Sequence, residues 1–279
     1  MVANVSASDW STDRGVAWRE SMGPLEAMLA PVNTPLLKAL NLDAPYEIAD
    51  IGCGGGETSL AIAENAHPGS TVTGFDISPA LIEAAQSKET HGEVPVKFQV
   101  QDAGQPLSNA AQFDRLTSRF GIMFFPEADQ AFANIAQWLK PNGRFAFAVW
   151  GPSAENPWMS GIRSILSNHI ELPTPEPHAP GPFLYQDASS FVKLLERSGF
   201  SNAKSMSWRD QLSIGGGLDA AAAADFALTA FSVGQLLKKS DQTTVQAAQA
   251  DLAALFSNHV VNEHVRMDAH VHIVTGTLA

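Results

Sequence analysis

The sequence predicts an α/β protein built on a doubly wound, mostly parallel sheet, and three observations carry that expectation. Short apolar segments alternate with amphipathic helical ones between residues 47 and 150, the pattern of right-handed βαβ units. The first of those segments, Glu47-Ile-Ala-Asp-Ile51, runs straight into a glycine-rich turn, Gly52-Cys-Gly-Gly-Gly56, and then into a helical stretch. The second segment ends on an acidic residue, Asp76.

Residues 1–40 read as a helical cap, because Trp18, Met22, Leu25, Met28 and Leu29 recur at helical spacing and Pro31 ends the run. Strands are expected at 47–52, 71–76, 96–101, 115–118 and 144–150, with helices at 58–65, 79–88 and 130–139 between them. The pattern breaks after Trp150: residues 151–186 hold seven prolines and only short apolar pieces, which reads as a structured lid. A helix at 187–198 and a strand near 203–213 restore it. Gly215-Gly-Gly217 marks a turn, two helices follow at 218–239 and 241–259, and residues 269–275 alternate like a last strand. The expected division is a cap (1–40), a core (41–150, 187–214, 263–279) and two substrate-side insertions (151–186, 215–262).

Composition narrows the function classes. The chain has 279 residues, 45% of them hydrophobic and 16% charged, enough for one large domain or a domain with a lid. Its net charge of −12 and the lack of any Lys/Arg-rich segment disfavour nucleic acid, whose binding depends on phosphate neutralisation. Apolar runs such as 145–150 are far too short to span a bilayer. Met1 to Trp10 shows no signal-peptide pattern. The single cysteine, Cys53, excludes an intramolecular disulfide and a cysteine-cluster metal site. Together these point to a cytoplasmic protein acting on a small molecule, with no metal, no nucleic acid and no membrane. The oligomeric state is open, a homodimer being one option.

The glycine turn carries the chemistry. A strand that stops at such a turn and opens into a helix lets backbone approach an adenosine cofactor where a Cβ would block it. Dinucleotide folds use G-x-G-x-x-G, with a pyrophosphate at the helix N-terminus. Counted from Gly52, the sixth position here is Glu57, whose carboxylate repels a pyrophosphate. Asp76, in Thr73-Gly-Phe-Asp-Ile-Ser-Pro79, either accepts from both ribose hydroxyls or caps the next helix. Cys53 reads as a small filler, since no activating base is evident beside it.

The remaining pattern, G-x-G-x-G after an acidic strand end, resembles motif I of the class I S-adenosylmethionine (SAM) methyltransferases. Three further segments fit the same family in order: Val100-Gln-Asp-Ala103, Phe113-Asp-Arg-Leu-Thr-Ser118 leading into Arg119-Phe-Gly-Ile-Met-Phe-Phe-Pro126, and Leu139-Lys-Pro-Asn-Gly-Arg144, with Asn142 where glycine is usual. The resemblance covers roughly residues 45–150. Trp10, Gly15, Trp18 and Met28-Leu-Ala-Pro31 look like the N-terminal segment of a bacterial small-molecule branch similar to the ubiquinone/menaquinone-type methyltransferases. It implies a Rossmann-like, seven-stranded sheet with an antiparallel last strand, a helical cap and lid insertions. It also implies SAM as cofactor, held by Asp50, Gly52 and Gly54 at the methionine end, by Asp76 with Ile77 at the ribose, by Asp102 and Ala103 at the adenine, and at the ammonium by the backbone carbonyl at the strand end, Ser118. Trp18 is either an indole donor to the SAM carboxylate or a buried helix aromatic; Asp102 is otherwise a solvated turn residue.

The activity this implies is methyl transfer by in-line displacement to a small, neutral or aromatic acceptor. Phe124, Trp150, Trp158, Tyr185 and Phe231 are the candidates for an apolar acceptor pocket, although the same aromatics can equally pack the insertions onto the core. No residue stands out as a catalytic base; His178, in the Pro-rich insert, is the candidate. The alternatives are an NAD-dependent oxidoreductase, which Glu57 disfavours, and a non-catalytic methyltransferase-like partner subunit. The Asn/Asp-Pro-Pro-Tyr/Phe signature of adenine and amide-nitrogen methylation is absent at 118–121.

Overall fold

A computed structural model describes residues 13–90, 92–107, 111–174 and 179–278. Three short helices lead the chain: α1 (Asp13–Glu20), α2 (Met22–Leu29) and α3 (Asn33–Leu40). Pro31 sits in a single 3₁₀ turn, Ala30–Val32, that joins α2 to α3. Met28, Leu29, Val32, Leu36 and Leu40 point inward and join the core, as their spacing requires.

The alternating region follows as β1 (Glu47–Ile51), α4 (Glu57–Asn65), β2 (Thr71–Asp76), α5 (Pro79–Gln86), β3 (Val96–Val100), β4 (Phe113–Arg119), α6 (Ala128–Ala136) and β5 (Leu139–Trp150). All five strands pair in parallel. β5 begins five residues earlier than the sequence pattern indicates: Leu139 already pairs with Phe113, and an irregularity between Phe113 and Arg115 absorbs the turn. Asn142 has φ 62, so asparagine supplies the left-handed position there in place of glycine.

The second half comprises α7 (Pro157–Ser167), α8 (Ala188–Arg197), β6 (Phe200–Ser213), α9 (Ala220–Ala230), α10 (Ser232–Gln235), α11 (Gln242–Ser257), a two-residue β7 (Val260–Val261) and β8 (His264–Leu278). The sheet order is β3-β2-β1-β4-β5-β8-β6, with β7 pairing only β8. β8 lies between β5 and β6 and is antiparallel to both, so the main sheet has seven strands and the last is inserted in reverse. The helix expected over 218–239 is instead broken at Phe231 (φ −95, ψ 138). The break has a packing cause. Phe231 turns inward against Trp158 and Phe226, and the chain folds back so closely that a Cβ on Gly234 would lie 2.5 Å from Leu228 Cα. No single helix among the described residues is long and apolar enough to cross a membrane.

The order 3-2-1-4-5 has one consequence for function. The chain leaves β1 toward β2 on one side and returns through β4 on the other, which opens a crevice at the carboxyl ends of β1 and β4.

Candidate active site

A cleft of about 210 Å³ occupies that crevice. Its floor is the glycine turn. The N–H groups of Gly52 and Cys53 both donate to the carbonyl of Phe75 at the end of β2, at 2.7 and 3.0 Å. The turn is thereby stitched across two strand ends. Gly52 has φ +67, and a Cβ there would lie 2.8 Å from Gly121 Cα; a Cβ on Gly121 would in turn lie 2.9 Å from Gly52 Cα. The two backbones touch at the switch point, and only a glycine pair permits it.

Asp76 stands at the adjacent strand end, 9% exposed. Its Oδ2 accepts from Gly54 N–H and its Oδ1 from Ser78 N–H, both at 2.9 Å. Neither bond caps α5, whose N-cap is Ser78 and carries no side-chain cap bond, so the capping reading is not realised. The Ile77 N–H also acts on this carboxylate, and the acceptor capacity that remains is what a ligand can use. Burial raises the pKa of this carboxyl, against the pull of its backbone donors. Ile77 and Leu81 add an apolar wall beside it. Asp102 and Ala103 face the same cleft from the end of β3, and Asp102 Oδ1 accepts from Gly104 N–H at 2.8 Å, which fixes its rotamer.

Trp18 of α1 forms part of the opposite wall. The side chains that sequence reasoning missed lie deeper. Arg119, at the end of β4, forms an ion pair with Glu26 of α2, and its Nη1 donates to Asn33 Oδ1 at 3.1 Å. Both partners are nearly buried, with side-chain exposures of 5% and 10%, yet both line the cleft. A pair separated by 93 positions leaves no local pattern to read. Phe120 was missed too: it adopts φ 64, an uncommon and costly conformation for a bulky residue. That backbone turn aims its ring into the cleft wall, where it stacks on Trp150 with centroids 4.1 Å apart and planes 7° from parallel. Phe124, Phe125 and Pro126 continue this apolar wall.

Several expected site residues lie elsewhere. Asp50 is fully buried behind the turn: its Oδ2 accepts from Ser59 Oγ at 2.7 Å, and its Oδ1 has no partner among the described residues. Burial pushes its carboxyl up to about 6, opposed by the Ser59 hydroxyl and by Arg119. Ser118 is also fully buried, its Oγ without a partner among the described residues. Neither side chain lines the cleft. The aromatic set needs correcting. Trp158 is 2% exposed and wedged between Trp150 and Phe231, at 5.1 and 5.3 Å. Tyr185 stacks on Phe191 at 4.2 Å. Trp150, Trp158, Tyr185 and Phe231 thus pack the insertions onto the sheet, and of the five only Phe124 lines the cleft. The reason is size: insertions of this length need their own core, and large aromatics fill it. His178 lies outside the described residues. Burial raises the pKa of the Cys53 thiol well above its ordinary value, which disfavours the nucleophilic thiolate.

Among the described residues the cleft carries four carboxylates, Glu26, Asp76, Asp102 and Glu127, against one cation, Arg119. That field favours a cationic ligand and opposes a polyanion. Glu57 is the first residue of α4 and pairs with Lys88, so a carboxylate already occupies the helix end where a pyrophosphate would sit.

Residues 48–143 match the family described as "Methyltransferase domain". The chain carries a class I SAM-dependent methyltransferase domain. It is 29% identical over 143 residues to a ubiquinone biosynthesis O-methyltransferase of Coxiella burnetii, covering 51% of this chain and 57% of that one. It is 36% identical over 101 residues to an aklanonic acid methyltransferase of a Streptomyces species, covering 36% and 46%. The chain thus spans about half the length of these relatives. Its fold is similar to that of phosphoethanolamine N-methyltransferase 2 of Haemonchus contortus, solved with S-adenosylhomocysteine, at a TM-score of 0.54 and 15% identity, covering 100% of this chain and 60% of that one. Within the methyltransferase domain, the matched span runs from β1 to the first turn of β5 and contains the glycine turn, Asp76 and Asp102.

Proposed function

We propose that this protein transfers the methyl group of SAM to an oxygen of a small, apolar or aromatic molecule, as a cytoplasmic enzyme. The observation that carries the proposal is the convergence of the Gly52–Gly56 turn, Asp76 and Asp102 on one cleft at the switch point of the sheet. SAM supplies an electrophilic methyl carbon on a sulfonium.

The cleft fits such a ligand on its own observations. Asp76 lines the cleft and keeps acceptor capacity for a ribose diol beyond its backbone bonds. Asp102 and the Ala103 N–H offer an acceptor and a donor to an adenine edge, with Ile77 and Leu81 as its apolar bed. Arg119 and Glu26 present one positive and one negative group side by side, the complement of an amino-acid zwitterion, and Trp18 adds an indole N–H. Gly52 keeps the floor open by carrying no side chain. In this reading Asp50 and Ser118 act from beneath the floor, through backbone position rather than direct side-chain contact.

Phe120, Phe124 and Phe125 form the acceptor wall, apolar and flat. Their work is to orient the acceptor in line with the methyl carbon and to exclude water. Glu127 and Gln130 are polar groups on the cleft lining, and no histidine lines it among the described residues. The chain therefore acts by positioning, and an acidic hydroxyl such as a phenol or enol is the acceptor that needs least help losing its proton. The names of the relatives in ubiquinone biosynthesis and of the aklanonic acid methyltransferase support an oxygen acceptor of this kind. The test is incubation with methyl-labelled SAM and a panel of hydroxylated aromatic acceptors against matched aliphatic amines. Label in the phenolic methyl ethers supports the reading, and label in the amines alone overturns the oxygen assignment.

A further inference from the structure

β6 is the outermost strand of the sheet, 14 residues long, and no strand pairs with its outer side among the described residues. A long open edge is a template for another strand, and monomeric proteins commonly shorten it or cover it. Among the described residues it is neither short nor covered. Lys204, Ser205, Met206, Ser207, Arg209, Asp210 and Gln211 are exposed, and Trp208 is half-buried. Met206 is 53% exposed, among the most exposed large apolar side chains of the described residues.

The residues that alternate on one face of this edge are Lys204, Met206, Trp208 and Asp210; they border a groove floored by Ile273 and Thr275 of β8 and lined on its other side by Thr34, Pro35 and Lys38 of α3, and Trp208 packs there against the core. The opposite face is already engaged within the chain: Ser207 Oγ meets His270 Nε2 at 2.9 Å, and Arg209 pairs with Glu155. The order along the groove face is basic, apolar, aromatic, acidic. That order is self-complementary.

We propose that the edge of β6 is a homodimer interface, in which a second copy of this chain adds its own β6 antiparallel, centred on Ser207. Two strands of one sheet related by a two-fold axis have that axis perpendicular to the sheet, so like faces adjoin and the centre falls on a residue. Centring on Ser207 sets Met206 opposite the partner's Trp208 and Lys204 opposite the partner's Asp210, each twice. Thioether–aromatic and opposite-charge pairs are both favourable cross-strand neighbours. Centring on Met206 places Lys204 against the partner's Trp208, and centring on Trp208 places Asp210 against the partner's Met206, so both matches are lost. The result is one continuous sheet with β6 at its middle, and the Arg209–Glu155 and Ser207–His270 contacts stay intact on the other face.

Charge reversal tests this, read by sedimentation velocity over a concentration series, with circular dichroism and melting temperature as folding controls. The wild-type chain is expected to be a dimer. Lys204→Asp or Asp210→Lys alone sets two like-charge pairs across the axis and weakens dimerisation by at least about tenfold, with the melt of the monomer unchanged. The double variant K204D/D210K dimerises again. An equimolar mixture of the two single variants also dimerises, because each supplies the charge the other lacks. A wild-type chain that is monomeric throughout overturns the proposal, as does a dimer that both single variants leave unaffected. Single variants that dissociate but are not rescued, either by the double substitution or by mixing, overturn the register.

Discussion

Replacing Asp76 separates the two jobs its carboxylate performs. Each oxygen already accepts one backbone N–H at 2.9 Å, from Gly54 and from Ser78, the Ile77 N–H also pulls on the carboxylate, and other acceptor positions remain on this cleft-lining side chain. If the ribose diol fills them, Asp76→Ala removes two charge-assisted hydrogen bonds at about 1.5 kcal/mol each, a loss of about 3 kcal/mol or on the order of 10²-fold in affinity. Asp76→Asn keeps one acceptor oxygen and loses the charge, so roughly tenfold is expected. Calorimetric titration with S-adenosylhomocysteine measures both, and circular dichroism melting confirms that the turn still folds. The carboxyl's raised pKa adds a second signature. Protonation turns an acceptor into a donor, so wild-type affinity falls as pH decreases, beginning above the ordinary carboxylate range, while Asp76→Asn flattens that dependence. Unchanged affinity in both variants, with the fold intact, refutes the assignment of Asp76 to the ligand.

Other outcomes follow from the same geometry. Gly52→Ala forces a Cβ to 2.8 Å from Gly121 Cα at φ +67, and the strain alone costs about 1–2 kcal/mol. Urea unfolding is expected to show at least that loss together with abolished cofactor binding, and a wild-type midpoint would contradict the close approach. Trp158→Ala empties a fully packed site between Trp150 and Phe231 and is expected to cost about 3–5 kcal/mol of stability, with cofactor affinity preserved at low temperature. Impaired turnover without a lower melting temperature would return Trp158 to the substrate site. Asp50 has a folded pKa of about 6, raised above its ordinary 3.8. Its contribution to stability is therefore complete below about pH 4 and lost as pH rises through 6, a change of about 3 kcal/mol. Asp50→Asn is expected to gain stability over wild type between pH 4 and pH 7, and a difference that does not vary with pH would show that this carboxyl is not perturbed.

Local features were legible in the sequence and long-range ones were not. The turn at 52–56 and the acids at 76 and 102 are visible because strand ends, glycines and carboxylates follow one another along the chain. The reversed last strand was legible from the alternation at 269–275 together with the family resemblance. Three features had no local signature. The Glu26–Arg119 pair joins a cap helix to β4 across the fold. Gly121 looks like an ordinary loop glycine until its backbone is seen against Gly52. Phe120 carries no mark of its positive φ, since propensity gives no reason for a bulky residue to adopt it. The aromatics of the insertions were ambiguous for a physical reason: a side chain that lines a pocket and one that packs a core have the same chemistry, and only their surroundings distinguish them. The break at Phe231 is of the same kind, because tertiary contact with Trp158 overrides a helical pattern that is otherwise continuous.

A crystal structure of the chain with S-adenosylhomocysteine tests the central claim most directly. The account predicts the ribose hydroxyls on Asp76, the adenine between Ile77 and Ala103 with Asp102 at its amine, and the amino-acid end between Arg119, Glu26 and Trp18. It also predicts the sulfur facing the wall of Phe120 and Phe124. Density for the ligand outside this cleft, or none at saturating concentration where NAD binds instead, would contradict it.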